Sequence, residues 1–141
     1  GRMREIIANK VEELHLQQHV VFAGFKWSIG DYMMLADVAV SASRREGLPL
    51  SIIEAMYSKL PVVATCIRGI EDLVENNVTG LLYNLDDKEQ FCKHIISLYK
   101  DPQKRQSLSQ RAAEGIERYS AKEIVPQMIG IYHEILGTQE E

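Results

Sequence analysis

Apolar residues along the chain follow two spacings, one typical of amphipathic helices and one typical of buried strands. Spacings of three and four residues predict helices over residues 2–17, 31–36, 49–59 and 70–75, and further helices between residues 86 and 136. Short runs of consecutive apolar residues predict parallel strands at residues 20–23, 38–41, 62–65 and 80–83. Because strands and helices alternate, we expect an α/β fold, a doubly wound, Rossmann-like parallel sheet with extra C-terminal helices.

Polar residues mark where several of these helices begin. A serine or aspartate followed three residues later by an acidic residue is typical of a capping box. The residues in this position are Ser28, Asp86 and Ser120. Asp101 followed by proline marks another helix start, and Pro49 suits a first helical turn. Pro126 lies inside the last helix and is expected to kink it.

The last three predicted helices each carry an apolar stripe that is expected to face the core. The stripes consist of Phe91, Ile95, Ile96 and Tyr99, then Leu108, Ala112, Ile116 and Tyr119, then Ile124, Met128, Ile131, Tyr132 and Ile135. The helices at residues 101–136 are therefore expected to pack as a unit against the sheet.

Length and composition indicate one globular domain and exclude several kinds of partner. The 141 residues suit a single domain, and 45% of them are apolar and 26% charged. A formal net charge of −4 argues against a broad electrostatic surface for nucleic acid, and no apolar run is long enough to span a membrane. Two distant cysteines and four histidines without ligand spacing argue against a disulfide scaffold or a metal site. The first residues lack the apolar segment of a signal peptide, so we expect a cytoplasmic location.

Ligands of doubly wound folds bind outside the carboxyl ends of the strands, which here are the loops at 24–28, 41–48, 66–70 and 84–86. The loop at 41–48 is the richest in polar residues and leads into a helix N-terminus, where free amides and the helix dipole favour an anion. Gly47 allows close approach to the backbone, and Arg44 or Arg45 adds positive charge. The alternative is a solvated loop in which Glu46 complements the helix dipole.

Glu54 follows Glu46 by eight residues and lies on the second turn of the predicted helix, among apolar neighbours. A carboxylate in such surroundings needs a partner, because burying an unpaired charge is costly. Two interpretations remain open. Its side chain reaches solvent, or it accepts hydrogen bonds from ligand hydroxyls such as those of a ribose.

The string from Glu46 to Met56, EGLPLSIIEAM, resembles the E-x7-E motif of retaining GT-B glycosyltransferases, the family-4-like glycosyl transferases group 1. Its flanks are similar as well, in order and at ordinary spacing. They are the strings VFAG at 21–24, ADVAV at 36–40, PVVAT at 61–65 and TGLL at 79–82. The resemblance covers nearly the whole chain.

The resemblance implies the nucleotide-sugar-binding part of such an enzyme. Glu46 would be the catalytic residue, contacting hydroxyls of the donor sugar, and Glu54 would hold the nucleotide ribose. The other residues implied in donor binding are Phe25, Lys26, Arg45, Gly47, Leu48, Leu50 and Ser51. Many family members have glycine at the position of Pro49, which has no N–H, so Leu50 and Ser51 must supply the amides that hold the diphosphate. No cofactor and no metal are expected, and the substrate would be a nucleotide sugar such as a UDP- or GDP-sugar.

The resemblance also implies that residues 1–141, including the helices at about 101–136, form part of one nucleotide-sugar-binding domain. A strand, a helix and a second strand should precede Gly1, along with an N-terminal domain that binds a glycan or a lipid-linked acceptor. The chain alone would be inactive, and the longer protein would contact the inner face of the membrane peripherally. In the strand order 3-2-1-4-5-6, strand 20–23 would then lack both neighbours and strand 38–41 would lack one. In the isolated chain, we expect these two strands to pair with each other or with another chain.

Two other functions remain open from the sequence. One is a non-catalytic α/β module that binds a nucleotide or phosphate for interaction or regulation. The other is a dinucleotide-dependent Rossmann enzyme, and the absence of a GxGxxG string with its downstream acidic residue counts against it.

Overall fold

The computed structural model describes residues 3–137, which build a three-stranded parallel sheet between layers of helices. In chain order the elements are α1 (Met3–Glu13), α2 (Ile29–Met33), β1 (Ala39–Ser41), α3 (Leu50–Tyr57), β2 (Val62–Thr65), β3 (Gly80–Tyr83), α4 (Lys88–Lys100), α5 (Pro102–Ile116), a 3-10 turn (Glu117–Tyr119) and α6 (Ala121–Leu136). The expected α/β class with a parallel sheet and C-terminal helices is confirmed.

The sheet has the order β1-β2-β3, and β2 is its central strand. Val63 of β2 lies opposite Val40 of β1 and Leu81 of β3. All four residues of β2 and all four of β3 are buried. Such continuous burial explains why these strands read as unbroken apolar runs in the sequence, because each strand has a packed layer on both faces.

Two core layers cover the two faces of the sheet, and neighbouring residues of β2 enter different layers. Val62 and Ala64 pack in the first layer, and Val63 packs in the second. The first layer also contains Ile52, Ala55 and Met56 of α3 and Ala112 and Ile116 of α5. The second contains Leu81 and Tyr83 of β3, Leu98 of α4 and Leu108 of α5. Helix α5 therefore contributes to both layers.

Side chains cover the outer edge of β3. The Leu82 amide donates to Oδ1 of Asn76 at 2.9 Å, and Nε2 of His94 lies 3.0 Å from the Leu82 carbonyl oxygen. Because an uncovered sheet edge presents unpaired backbone groups, these contacts end the sheet at β3.

The strand expected at residues 20–23 does not form. The segment is irregular, and the side chain of Val21 is 88% exposed. It pairs neither with β1 nor with any other strand among residues 3–137, so the expected pairing of the two segments within the chain is wrong. A lone extended segment gains no ladder of hydrogen bonds, which removes the reason for a strand.

Several helix predictions need correction. The helix expected over 2–17 runs over Met3–Glu13, its predicted residue 2 lying outside the described part, and His15 has a φ of 55°. The helix expected over 31–36 spans Ile29–Met33, and the one over 49–59 spans Leu50–Tyr57. Residues 70–73 form turns and residues 74–75 are irregular, so the helix expected over 70–75 does not form.

The cap of α4 is one residue later than expected. Oδ1 of Asp87, not of Asp86, accepts the Gln90 amide at 2.9 Å, while Asp86 has a φ of 66°. At Ser28 and Ser120 no side-chain cap bond forms, although both residues are N-caps by position. The prediction for Asp101 is confirmed, because its Oδ1 accepts the Lys104 amide at 2.9 Å.

Only one of the three apolar stripes is buried as expected. Leu108, Ala112 and Ile116 of α5 are buried. In α4 the buried residue is Leu98, and Phe91 and Ile95 pack against it, so Ile96 and Tyr99 are exposed on the far side of the helix. In α6 no residue is buried.

The packing expected for α6 is therefore wrong. Met128 is 47% exposed, and Ile131, Tyr132 and Ile135 are exposed as well. Among the described residues, helix α6 makes its main contact with the 3-10 turn before it. Its stripe has the right period, but no element among residues 3–137 lies against it.

Candidate functional site

Three loops meet at the carboxyl ends of the strands. We call them the β1 loop (residues 42–49), the β2 loop (66–70) and the β3 loop (84–87). A Cβ added to Gly69 of the β2 loop would lie 2.8 Å from the carbonyl oxygen of Glu46 in the β1 loop. Nη2 of Arg44 donates to Oδ1 of Asp86 at 2.7 Å, which joins the β1 loop to the β3 loop. The β1 loop thus lies between its two neighbours and contacts both.

The Glu46 carboxylate is partly buried and fixed by a local hydrogen bond. Oγ of Ser43 donates to Oε1 of Glu46 at 2.7 Å. Oγ of Ser41 lies 3.3 Å from Oγ of Ser43, as its donor. One oxygen of the Glu46 carboxylate is therefore occupied by a serine hydroxyl, and no hydrogen bond to the other oxygen occurs among residues 3–137.

Two hydroxyl groups from the ends of β2 and β3 hold the backbone of the segment before Glu46. Oγ1 of Thr65 donates to the Ser43 carbonyl at 2.6 Å, and the Tyr83 hydroxyl donates to the Ser41 carbonyl at 3.2 Å. Both side chains are buried, and burial raises the pKa of Tyr83, so its hydroxyl keeps its proton as a donor. The path of the chain toward Glu46 is consequently set by the neighbouring strands.

Helix α3 begins beside this loop with free amides. Pro49 is the N-cap residue, and its carbonyl accepts the Ile52 amide at 3.0 Å. The amides of Leu50 and Ser51 have no hydrogen-bond partner in the described part of the chain. Together with the positive end of the α3 dipole, these two N–H groups form a local environment that favours an anion.

Glu54 lies on the exposed side of α3, whereas Ile52, Ala55 and Met56 form its buried side. Within residues 3–137 its carboxylate makes no hydrogen bond and no ion pair. The carboxylate therefore reaches solvent. The apolar neighbours along the chain do not bury it, so its charge needs no buried partner. An exposed, unoccupied carboxylate remains able to accept two hydroxyl donors.

No hydrogen bond, ion pair or ring interaction joins Phe25 or Lys26 to Glu46 within residues 3–137. The Phe25 ring, 78% exposed, meets the Trp27 ring edge-on with a centroid distance of 5.1 Å. Nζ of Lys26 lies 5.6 Å from the Tyr32 ring centroid. These groups form two pairs, Phe25 with Trp27 in the segment before α2, and Lys26 of that segment with Tyr32 of α2.

The other candidate residues of the β1 loop lie at its surface. Arg45, Gly47 and Leu48 are exposed, and the space beside the Gly47 Cα is open. Arg45 forms no ion pair within residues 3–137. The ion pair of this loop is instead made by Arg44, which the sequence offered as an equal alternative.

A cavity of about 280 Å³ lies between the β1 loop, the β3 loop and the start of α4, and its wall consists of Ala42, Arg44, Thr65, Tyr83, Leu85, Asp86, Lys88 and Phe91. Sequence reasoning selected the loop at 84–86 but missed the hydroxyl residues Ser43, Thr65 and Tyr83. Their signal was present, because Thr65 and Tyr83 are the last residues of strands that point toward the ligand edge.

Cys66 begins the β2 loop, and its Sγ donates to Oε1 of Glu71 at 3.1 Å. This hydrogen bond raises the pKa of the Cys66 thiol, and burial and the negative charge of Glu71 raise it further. The thiol is therefore held in its protonated, weakly nucleophilic form. No cluster of three or more His, Cys, Asp or Glu side chains suited to a metal ion occurs in the described residues.

Comparison with known proteins places the chain beside sugar-transferring enzymes. Residues 1–115 match the family model described as Glycosyl transferases group 1. EpsD of Bacillus subtilis is 33% identical over 94% of this chain and 35% of its own length. The poly(ribitol-phosphate) alpha-N-acetylglucosaminyltransferase of Staphylococcus aureus is 30% identical over 94% of this chain and 27% of its own length.

Among solved structures, HepE of Anabaena in complex with UDP superimposes with a TM-score of 0.88. It is 26% identical to this chain, and the match covers 92% of this chain and 36% of HepE. The chain thus spans about a third of the length of the relatives it matches.

None of the helices within residues 3–137 combines the length and the apolar character that crossing a bilayer requires.

Proposed function

Because the chain belongs to the Glycosyl transferases group 1 family, we propose that it is the donor-binding part of a retaining glycosyltransferase. The complete enzyme transfers a sugar from a nucleotide sugar to a glycan or lipid-linked acceptor. The observation that carries this proposal is the arrangement of the β1 loop, which fixes a partly buried carboxylate, Glu46, and leads directly into the free amides at the start of α3.

In this proposal Glu46 is the catalytic residue and contacts hydroxyls of the donor sugar. The transfer breaks the bond between the anomeric carbon and the diphosphate oxygen and forms a bond from that carbon to the oxygen of an acceptor hydroxyl, whose proton passes to the departing nucleoside diphosphate. Glu46 has one oxygen held by Ser43 and the other available to a sugar hydroxyl. A fixed carboxylate keeps the donor sugar in one orientation as the bond breaks.

The start of α3 receives the diphosphate. Negative charge grows on the diphosphate as the sugar leaves, and the Leu50 and Ser51 amides with the α3 dipole stabilise it. Gly47 and Leu48 border the diphosphate, and Arg45 adds a positive charge near it. Glu54 lies one turn further along the helix and accepts the two ribose hydroxyls.

The remaining contacts belong to the base and the acceptor. Phe25 and Lys26 border the base in the complete protein, and exposed rings and a lysine suit a planar, polar group. HepE was solved with UDP, which supports a uracil or another nucleobase at this end. The acceptor binds to the part of the enzyme beyond these residues, in the cytoplasm at the inner face of the membrane.

The proposal is tested on the full-length protein by calorimetric titration with UDP and UDP-glucose. GDP and GDP-mannose are titrated in the same way as the alternative nucleotides. UDP carries the nucleotide ribose but lacks the donor sugar that is transferred. We therefore expect Glu54→Gln to weaken the binding of both UDP and UDP-glucose, and Glu46→Gln to weaken the binding of UDP-glucose only. The same panel, assayed for nucleotide release, identifies the donor that is turned over.

Glu75→Gln is the matched control, because Glu75 is exposed and lies before β3, at the opposite edge of the sheet. It should bind every nucleotide like the unaltered protein. If the protein binds nucleotides but releases none from any nucleotide sugar, the chain belongs to a non-catalytic nucleotide-binding module rather than to an enzyme. Binding that is insensitive to both glutamate substitutions would refute the proposed site.

A further inference from the structure

Two hydrogen bonds in series, from Thr65 to Ser43 and from Ser43 to Glu46, connect the core of the sheet to the Glu46 carboxylate, and we call this pair the relay. Thr65, the last residue of β2, is only 1% exposed, and its Oγ1 donates to the Ser43 carbonyl at 2.6 Å. Ser43 in turn donates its own hydroxyl proton to Oε1 of Glu46 at 2.7 Å. The buried threonine thus holds the residue that holds the carboxylate.

We propose that Thr65 and Ser43 are positioning residues for Glu46. Thr65 fixes the backbone of Ser43, and Ser43 orients the carboxylate so that one of its oxygens faces the donor sugar. This inference rests on the proposed function, because it needs Glu46 to act on the donor. Neither residue touches the donor itself, and both act through Glu46.

The direction of the hydrogen bonds supports a positioning role. A serine hydroxyl has one proton to donate, and Ser43 donates it to Glu46. The Ser43 oxygen itself accepts a hydrogen bond from the Ser41 hydroxyl, with the two oxygens 3.3 Å apart. The Thr65 proton goes to a backbone carbonyl of the β1 loop rather than to its own strand. A hydroxyl that needed only a partner for burial would be satisfied by any carbonyl, but this one fixes the residue that contacts Glu46.

The surroundings make the relay rigid. The Tyr83 hydroxyl, from the end of β3, holds the Ser41 carbonyl at 3.2 Å. Gly69 lies against the Glu46 backbone on the other side, with no room for a side chain. Since rigid elements fix the β1 loop at both ends of the relay, a small change at Thr65 is passed to the Glu46 carboxylate rather than absorbed.

The test uses the full-length protein and the nucleotide sugar that gives the fastest nucleotide release from the panel above. Thr65→Val removes the hydroxyl and keeps the shape of the side chain, whereas Thr65→Ser keeps the hydroxyl. We expect Thr65→Val to lower kcat by about ten-fold with unchanged affinity for UDP, because misplaced catalytic groups slow the chemical step. Thr65→Ser should restore most of that loss.

Thr79→Val is the matched control, because Thr79 is also a buried threonine whose hydroxyl contacts the backbone: its Oγ1 accepts the Glu75 amide at 2.8 Å. It lies before the amino end of β3, so it should lower the melting temperature without changing kcat. If Thr65→Val fails to fold, Ser43→Ala removes the proton donor from Glu46 without touching the core, and it should give the same loss of kcat.

The outcomes separate the two proposals. Full turnover in Thr65→Val and Ser43→Ala while Glu46→Gln is inactive overturns the positioning role alone. Full turnover in Glu46→Gln overturns the catalytic role of Glu46 and the positioning role with it. An equal loss of kcat in Thr65→Val and Thr79→Val also overturns positioning, because the effect would then follow stability.

Discussion

Gly69 lies so close to Glu46 that a Cβ at position 69 would stand 2.8 Å from the Glu46 carbonyl oxygen, and it would overlap the carbonyl of Gly47. Gly69 also has a φ of 86°, which residues with a side chain rarely adopt. The β2 loop therefore reaches the β1 loop only because position 69 has no side chain. The proposed catalytic carboxylate depends on a glycine 23 residues later in the chain.

Gly69→Ala should destabilise the fold, because alanine meets both an unfavourable φ and a backbone overlap. The expected loss in free energy of unfolding is about 2–4 kcal/mol, measured by urea denaturation. Gly130→Ala is the control, since Gly130 lies in α6 with open space around it. The Gly130→Ala substitution should raise the free energy of unfolding by roughly 0.5–1 kcal/mol. A Gly69→Ala substitution without effect on that free energy would contradict the close approach of the loops.

Glu46→Gln and Glu54→Gln should each reduce donor turnover in the full-length enzyme while the fold stays intact. Removing a carboxylate that accepts a ligand hydroxyl costs about 1.5–3 kcal/mol, which is roughly a ten- to hundred-fold loss of kcat/KM. Steady-state nucleotide release measures the loss, and circular dichroism checks the fold. Unchanged kinetics in both variants would show that the two carboxylates lie outside the donor site.

Asp87→Ala should destabilise α4, because the Asp87 carboxylate accepts the Gln90 amide at the helix start. The expected cost is about 0.5–2 kcal/mol by thermal or urea unfolding. Asp86→Gly serves for comparison. It removes an ion pair whose side chains are 69% and 66% exposed, which is worth little, and it relieves the positive φ of Asp86. A larger loss in Asp86→Gly than in Asp87→Ala would place the cap at Asp86 instead.

Glu71→Ala should make Cys66 more reactive. The hydrogen bond to Glu71 and the charge of Glu71 raise the Cys66 pKa, so their removal lowers it and increases the thiolate fraction at mildly alkaline pH. The measurement is the rate of alkylation by iodoacetamide on the 141-residue chain in a Cys92→Ser background, in which Cys66 is the remaining cysteine of that chain. At strongly alkaline pH both proteins should react alike, and a rate unaffected by Glu71→Ala at mildly alkaline pH would contradict the contact.

The local sequence predicted the elements whose neighbours are close along the chain. The runs at 62–65 and 80–83 form β2 and β3 as expected, and the stripe of α5 is buried as its spacing indicated. The loop that carries Glu46 was also found from the sequence, because parallel strands bring their carboxyl ends to one edge. Periodicity and strand direction are properties of a short stretch of sequence, and they suffice for these results.

Only the tertiary structure decided which apolar residues are covered and what holds Glu46 in place. Val21 and Met128 have the spacing of buried residues, yet both are exposed because no element among residues 3–137 lies against them. The hydroxyl of Thr65 reaches Ser43 across 22 residues, a contact that no local pattern encodes. Period and propensity fix what a segment is able to bury, but a contact exists only where the fold brings a second segment to meet it.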